Sequence, residues 1–209
     1  MARDAKSFNR SKPKLKPQPT VLVICEDKKS GKRYLEDAAE YFRIKVSVEI
    51  THTGKTDPLN IVKEALSRQG KFDRVYCAID RDTHETFAQA QALAKTSKKV
   101  DLVASYPCFE FWLLLHFGFS RKPYTFVGKH SAADLLIKDL KTHPPFENYD
   151  KGKDQSVFNL LLDRFADARL IASSVLTQAI ESGEMNPSTR LHELIAYFEK
   201  LSVPQKSIQ

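Results

Sequence analysis

At 209 residues, with 42% hydrophobic and 10% aromatic content, the chain is long enough for one full domain, or one domain with a helical extension. Its net charge of +7 is uneven: residues 1–19 set Arg3, Lys6, Arg10, Lys12, Lys14 and Lys16 against Asp4, a net of +5, so the high pI is largely a property of this arm. No apolar run approaches the ~20 residues of a membrane span, and no two of the three cysteines have the CxxC spacing of a zinc site, which excludes both classes.

Residues 1–19 are rich in Lys, Pro and Ser, and read as a disordered basic arm that favours polyanions. The polar N-terminus has no signal-peptide core, and Cys25 and Cys77 sit in apolar runs as small buried hydrophobes. Both point to a reducing cytoplasm. Strand 1 is predicted over Thr20–Cys25. A helix from Gly31 to Arg43 follows, with Ser30 as its cap. Lys45–Ile50 alternates Val46, Val48 and Ile50 with polar residues, the pattern of an edge strand. Asp57 caps a helix that has Pro58 in its first turn. Strand 3 covers Arg74–Ile79, a helix lies near Glu85–Ser97, and strand 4 covers Val100–Ser105. Alternating strands and helices imply βαβ units around a parallel, or mostly parallel, four-stranded sheet. The rest reads as all-helical: Phe109–Phe117, Ala132–Lys141, about Gln155–Ile180, and a last helix between Ser188 and Pro204. The expected division is an arm over 1–19, an α/β core over 20–117 and a helical extension over 118–209 packed on the core.

Two acidic clusters fall where strands should end. Glu26 closes strand 1, and Asp80-Arg81-Asp82 closes strand 3. In parallel sheets ligands bind at the carboxyl ends of strands. Asp80 and Asp82, two apart, point the same way in extended backbone and suit a hard cation such as Mg²⁺ or Mn²⁺. Glu26, on the neighbouring strand, completes the shell or acts as a base. The bland alternative is a solvated turn beside a helix-preceding acid. Glu110, following strand 4, is either a fourth ligand or an acid favoured by a helix N-terminus. His84 suits a substrate phosphate or is an exposed turn residue, and His116 reads as packed. Lys28, Lys29, Lys32 and Lys55 are candidate phosphate contacts. Gly54-Lys55-Thr56 is not a P-loop, because Glu49 stands where its first Gly is required. The loop Tyr149-Asp150-Lys151-Gly152-Lys153 suits a nucleic-acid strand or is simply solvated.

A Glu after the first strand and a DxD after a later one resemble the Toprim domain of topoisomerases, primases and related nucleases. A nearer resemblance is to the RloB family of bacterial Toprim-like defence proteins. It rests on Val23-Ile24-Cys25-Glu26, Gly54-Lys55-Thr56-Asp57-Pro58-Leu59 and Ala78-Ile79-Asp80-Arg81-Asp82-Thr83-His84. It continues through the run Ser105-Tyr106-Pro107-Cys108-Phe109-Glu110-Phe111-Trp112-Leu113-Leu114-Leu115-His116-Phe117 and through Asn186-Pro187-Ser188-Thr189. The chain departs from that pattern after Glu26. Asp27 replaces a Gly, Ser30 a Thr, and Gly31 a second Glu. The resemblance implies a Toprim-like fold and a metal-dependent nuclease of antiphage defence. It implies RNA, tRNA first, as substrate, with DNA nicking as the alternative, and an ATPase as partner. A non-catalytic nucleotide- or nucleic-acid-binding subunit is the competing reading, and self-association is compatible with either. No membrane partner is expected.

Overall fold

The structure, a computed structural model, describes residues 18–81, 83–151 and 156–203. Its element order follows the predicted alternation. Strands β1 (Val21–Cys25), β2 (Val48–Thr51), β3 (Arg74–Asp80) and β4 (Val100–Tyr106) are separated by helices α1 (Ser30–Tyr41), α2 (Pro58–Arg68) and α3 (Phe87–Ala94). Then come α4 (Glu110–Leu114), a 3₁₀ turn over Leu115–Phe117, α5 (Ala132–Leu140), α6 (Val157–Leu160), α7 (Phe165–Ser182), β5 (Ser188–Thr189) and α8 (Leu191–Ser202).

The sheet has the order β2-β1-β3-β4-β5. The first four strands are parallel to their neighbours, and β5 runs antiparallel to β4, pairing Ser105 with Thr189 and Tyr106 with Ser188. Five strands therefore replace the expected four. β5 is only two residues long, too short to leave a hydrophobic period in the sequence.

Helices cover both faces, which is why β1 is apolar along its whole length. Leu22 and Ile24 pack with Val75, Cys77 and Ile79 against α2 and α3. Val21, Val23 and Cys25 face the other way, into a larger cluster with Tyr34, Phe111, Trp112, Phe158, Ala172 and Phe198. This second layer mixes residues before and after position 118, so the helical back half shares its core with the sheet. Alternation along β3 puts Tyr76, Ala78 and hence Asp80 on this second face.

Three local expectations are corrected. β2 is an edge strand, but it begins at Val48; Val46 is fully exposed and does not point inward. Ser30 does not cap α1. The side chain of Asp27 accepts from the backbone N–H of Lys29 (2.7 Å) and of Gly31 (2.8 Å) instead. The long helix predicted from 155 is interrupted. Leu161 leaves the helical region (φ −108°, ψ 0°), and a 3₁₀ turn over Leu162–Arg164 precedes α7. Phe158, Leu161, Phe165, Ala168, Ala172, Val175 and Ala179 keep their helical spacing through the break, so the apolar pattern conceals it. Residues 1–17 lie outside the described structure. Gln18 is anchored: its amide donates to the Leu201 carbonyl (2.7 Å) and its carbonyl accepts from Ser47 Oγ (2.8 Å).

Candidate acidic site

The carboxyl ends of β1, β3 and β4 lie side by side. Cys25 is in register with Ala78, and Asp80 with Ser105. Glu26 leaves the ladder one residue past Cys25 and turns toward β3, where its Oε2 accepts from the backbone N–H of Asp80 at 2.8 Å. Its Oε1 lies 2.8 Å from His84 Nε2. His84 is thus not an exposed turn residue: it is part-buried and holds Glu26 through Nε2. Burial raises the Glu26 pKa, and the His84 contact partly opposes that.

Asp80 reaches over the sheet end toward α4. Its Oδ1 accepts from the Phe109 N–H at 2.8 Å. One ligand-type atom from each of Asp80, Cys108 and Glu110 lies within 4.8 Å of the other two. Glu110 is completely buried. It is held from the 141–151 segment: Tyr149 donates its hydroxyl to Oε1 (3.0 Å), and Lys151 Nζ stands 2.9 Å from Oε2. Desolvation, Glu110 and Glu26 together push Asp80 well above the usual carboxylate range. Burial and the two adjacent acids do the same to the Cys108 thiol, which leaves it protonated. Where Asp80 approaches Glu26, Asp27, Gly31 and Phe109, a cavity of about 20 Å³ remains, room for a single water-sized occupant.

The remaining candidates divide. Asp82 lies outside the described residues. Lys32 pairs with Glu36 (2.5 Å) and Lys55 with Glu64 of α2 (2.7 Å), while Lys28 and Lys29 are exposed beside the site. Asp57 caps α2 by accepting from the Asn60 N–H (3.0 Å) and also accepts from the Thr86 hydroxyl, which draws the loops after β2 and β3 together at this edge. That hydroxyl is the main cause of a lowered Asp57 pKa. His116 is packed: its ring meets Trp112 at 4.7 Å, and burial lowers its pKa to about 4. Gly31 sits close against its neighbours. A Cβ there would stand 3.2 Å from Asp27 Oδ2 and 3.4 Å from the Phe109 ring.

Sequence reasoning brought Glu26, Asp80 and Glu110 to one edge but missed the rest of the surroundings. Tyr149 and Lys151 do not belong to a solvated loop: Tyr149 is buried, and both hold Glu110. Nothing in their local composition signals this, because the contact spans about forty residues. Cys108 carried a weak signal, being two residues before Glu110 on the chain that leaves β4.

The donor set fits a hard divalent cation in part. Asp80 and Glu110 offer carboxylate oxygens, those of Glu110 wholly buried. A protonated Cys108 would add little, and Glu26 already has a partner for each oxygen.

Compared with known proteins, the chain matches the family model described as RloB-like protein over residues 21–198. No curated protein and no solved structure matches it.

Proposed function

The chain belongs to the RloB-like protein family, and from that premise and the chemistry of its acidic site we propose that it is a metal-dependent nuclease of Toprim type. The observation that carries this reading is the position of Glu26 and Asp80 at the carboxyl ends of two adjacent parallel strands, with Glu110 beside Asp80 at the start of the helix that follows the third. Asp80 and Glu110 would hold Mg²⁺ or Mn²⁺. Such an ion, when bound, neutralises charge growing on a phosphoryl group. The chain's own groups do the rest. Glu26 takes a proton from the attacking hydroxyl or water, and its burial-raised pKa brings it nearer to neutral operating pH. His84, 2.8 Å away, orients Glu26 and shares that proton. Lys28 and Lys29, exposed on the turn after β1, attract the phosphodiester backbone.

The Toprim-like resemblance supports RNA as substrate, tRNA first, and a role in antiphage defence under an ATPase partner. The lack of a P-loop agrees with ATP being handled elsewhere. A second reading, a binding subunit that does not cut, is favoured by the full engagement of Glu26 and the pairing of Glu110 with Lys151. Growth separates the two. Induced expression should arrest cells and fragment their RNA, and Glu26→Gln should remove both effects while the protein accumulates to the same level. A Glu26→Gln chain as toxic as the wild type would favour the binding subunit.

A further inference from the structure

We propose that Lys151 is a built-in counter-cation of the acidic pocket, and that a divalent ion gains the pocket only by displacing it. The inference rests on the metal reading above and concerns how that site is regulated.

The cluster at the sheet end brings together two carboxylates, Asp80 and Glu110, and Glu110 is wholly buried. A buried carboxylate needs a compensating charge. Lys151 supplies one, with Nζ 2.9 Å from Glu110 Oε2. The ammonium sits where these carboxylates want a counter-charge.

The contact is made for exchange rather than permanence. The Lys151 side chain is 41% exposed and Glu110 not at all, so the amine enters from the solvent side and has a path back to it. Lys151 reaches Glu110 through this single ion pair to Oε2. Glu110 does not depend on Lys151 for its position, because Tyr149 holds Oε1 at 3.0 Å. Tyr149 is itself buried and packs on Phe146 at 5.5 Å between ring centroids. A divalent ion between Asp80 and Glu110 would repel the ammonium at close range. Lysine, a flexible point charge, swings out while the tyrosine and the carboxylates stay. Metal affinity is thereby set against an internal competitor, and a partner or substrate phosphate that attracts Lys151 outward would load the site.

The test is Mn²⁺ titration of the full chain, followed by calorimetry and by the electron paramagnetic resonance of free Mn²⁺. Lys151→Gln keeps a donor for Glu110 and removes the charge. It should bind Mn²⁺ at least tenfold more tightly than the wild type, and Mn²⁺ should raise its melting temperature further. Lys151→Arg, which keeps the charge, should bind as weakly as the wild type. Equal or weaker binding by Lys151→Gln overturns the inference while leaving a metal site in place. If that variant also loses cleavage, Lys151 is a substrate-phosphate ligand instead. If neither wild type nor variant binds Mn²⁺, the metal reading and this inference fall together. Should Lys151→Gln melt below the assay temperature, Mn²⁺ must restore its melting temperature, and failure to do so also overturns the proposal.

Discussion

Asp80 stands between two other carboxylates, part-buried at the end of β3. Its pKa is raised by desolvation first, then by Glu110 and Glu26. The folded chain therefore prefers its protonated form. That contribution to stability is fully present below the unfolded carboxyl value, about 3.9, and is lost as pH rises through the raised folded value. His116 acts oppositely, since its pKa is lowered to about 4 and its contribution is lost on acidification. The difference between wild type and Asp80→Asn isolates the carboxylate. At neutral pH, without metal, Asp80→Asn should be more stable, by roughly 1–2 kcal/mol or a few degrees in melting temperature. That advantage should shrink toward pH 4. A variant less stable at neutral pH would show that the carboxylate is not strained. Tyr149→Phe probes the other side of the pocket. It removes a hydrogen bond to a buried, charged acceptor and should cost about 2 kcal/mol in urea unfolding. A loss under about half a kcal/mol would mean that Lys151 alone holds Glu110.

Among the elements, α1 does most to frame the site. It starts immediately beside Glu26, and its first N–H groups are satisfied by Asp27 rather than by a Ser in the usual capping position. Asp27→Ala should lower stability by about 1 kcal/mol, measured by chemical denaturation. It should also loosen the turn carrying Lys28 and Lys29. An unchanged midpoint would show that water caps the helix as well as Asp27 does. β5 acts at the opposite side of β4. Its backbone pairing and the Ser105–Thr189 hydroxyl contact (2.9 Å) tie the last helix to the strand from which Asp80 takes its register.

For the molecule as a whole, Gln18 marks where the described chain becomes anchored. Residues 1–17 carry most of the excess positive charge and little apolar surface. Removing them should leave the melting temperature within a degree or so, weaken RNA binding and flatten its dependence on salt. A large loss of thermal stability would show that the arm is docked. No helix among the described residues is long and apolar enough to cross a membrane. The parallel strands and their helices were legible in the sequence because each is written in a local period, and the convergence of Glu26 with Asp80 because β1 and β3 both end at or beside an acid. β5 was not, being two residues long. The break at Leu161 was not, because the helical period runs through it. The hold of Tyr149 and Lys151 on Glu110 was not, because it is a long-range contact made by residues whose own neighbourhood looks like a loop.

Metal-dependent phosphodiester cleavage at the acidic edge is open to a single assay. Purified chain is incubated with total tRNA, ribosomal RNA and supercoiled plasmid, with Mg²⁺ or Mn²⁺ and in parallel with chelator, beside Asp80→Asn. The account predicts that RNA, tRNA foremost, is cut only with metal, and that Asp80→Asn lowers the rate at least a hundredfold while remaining folded. Intact nucleic acid under every metal condition, or cutting that survives both chelator and Asp80→Asn, would contradict it.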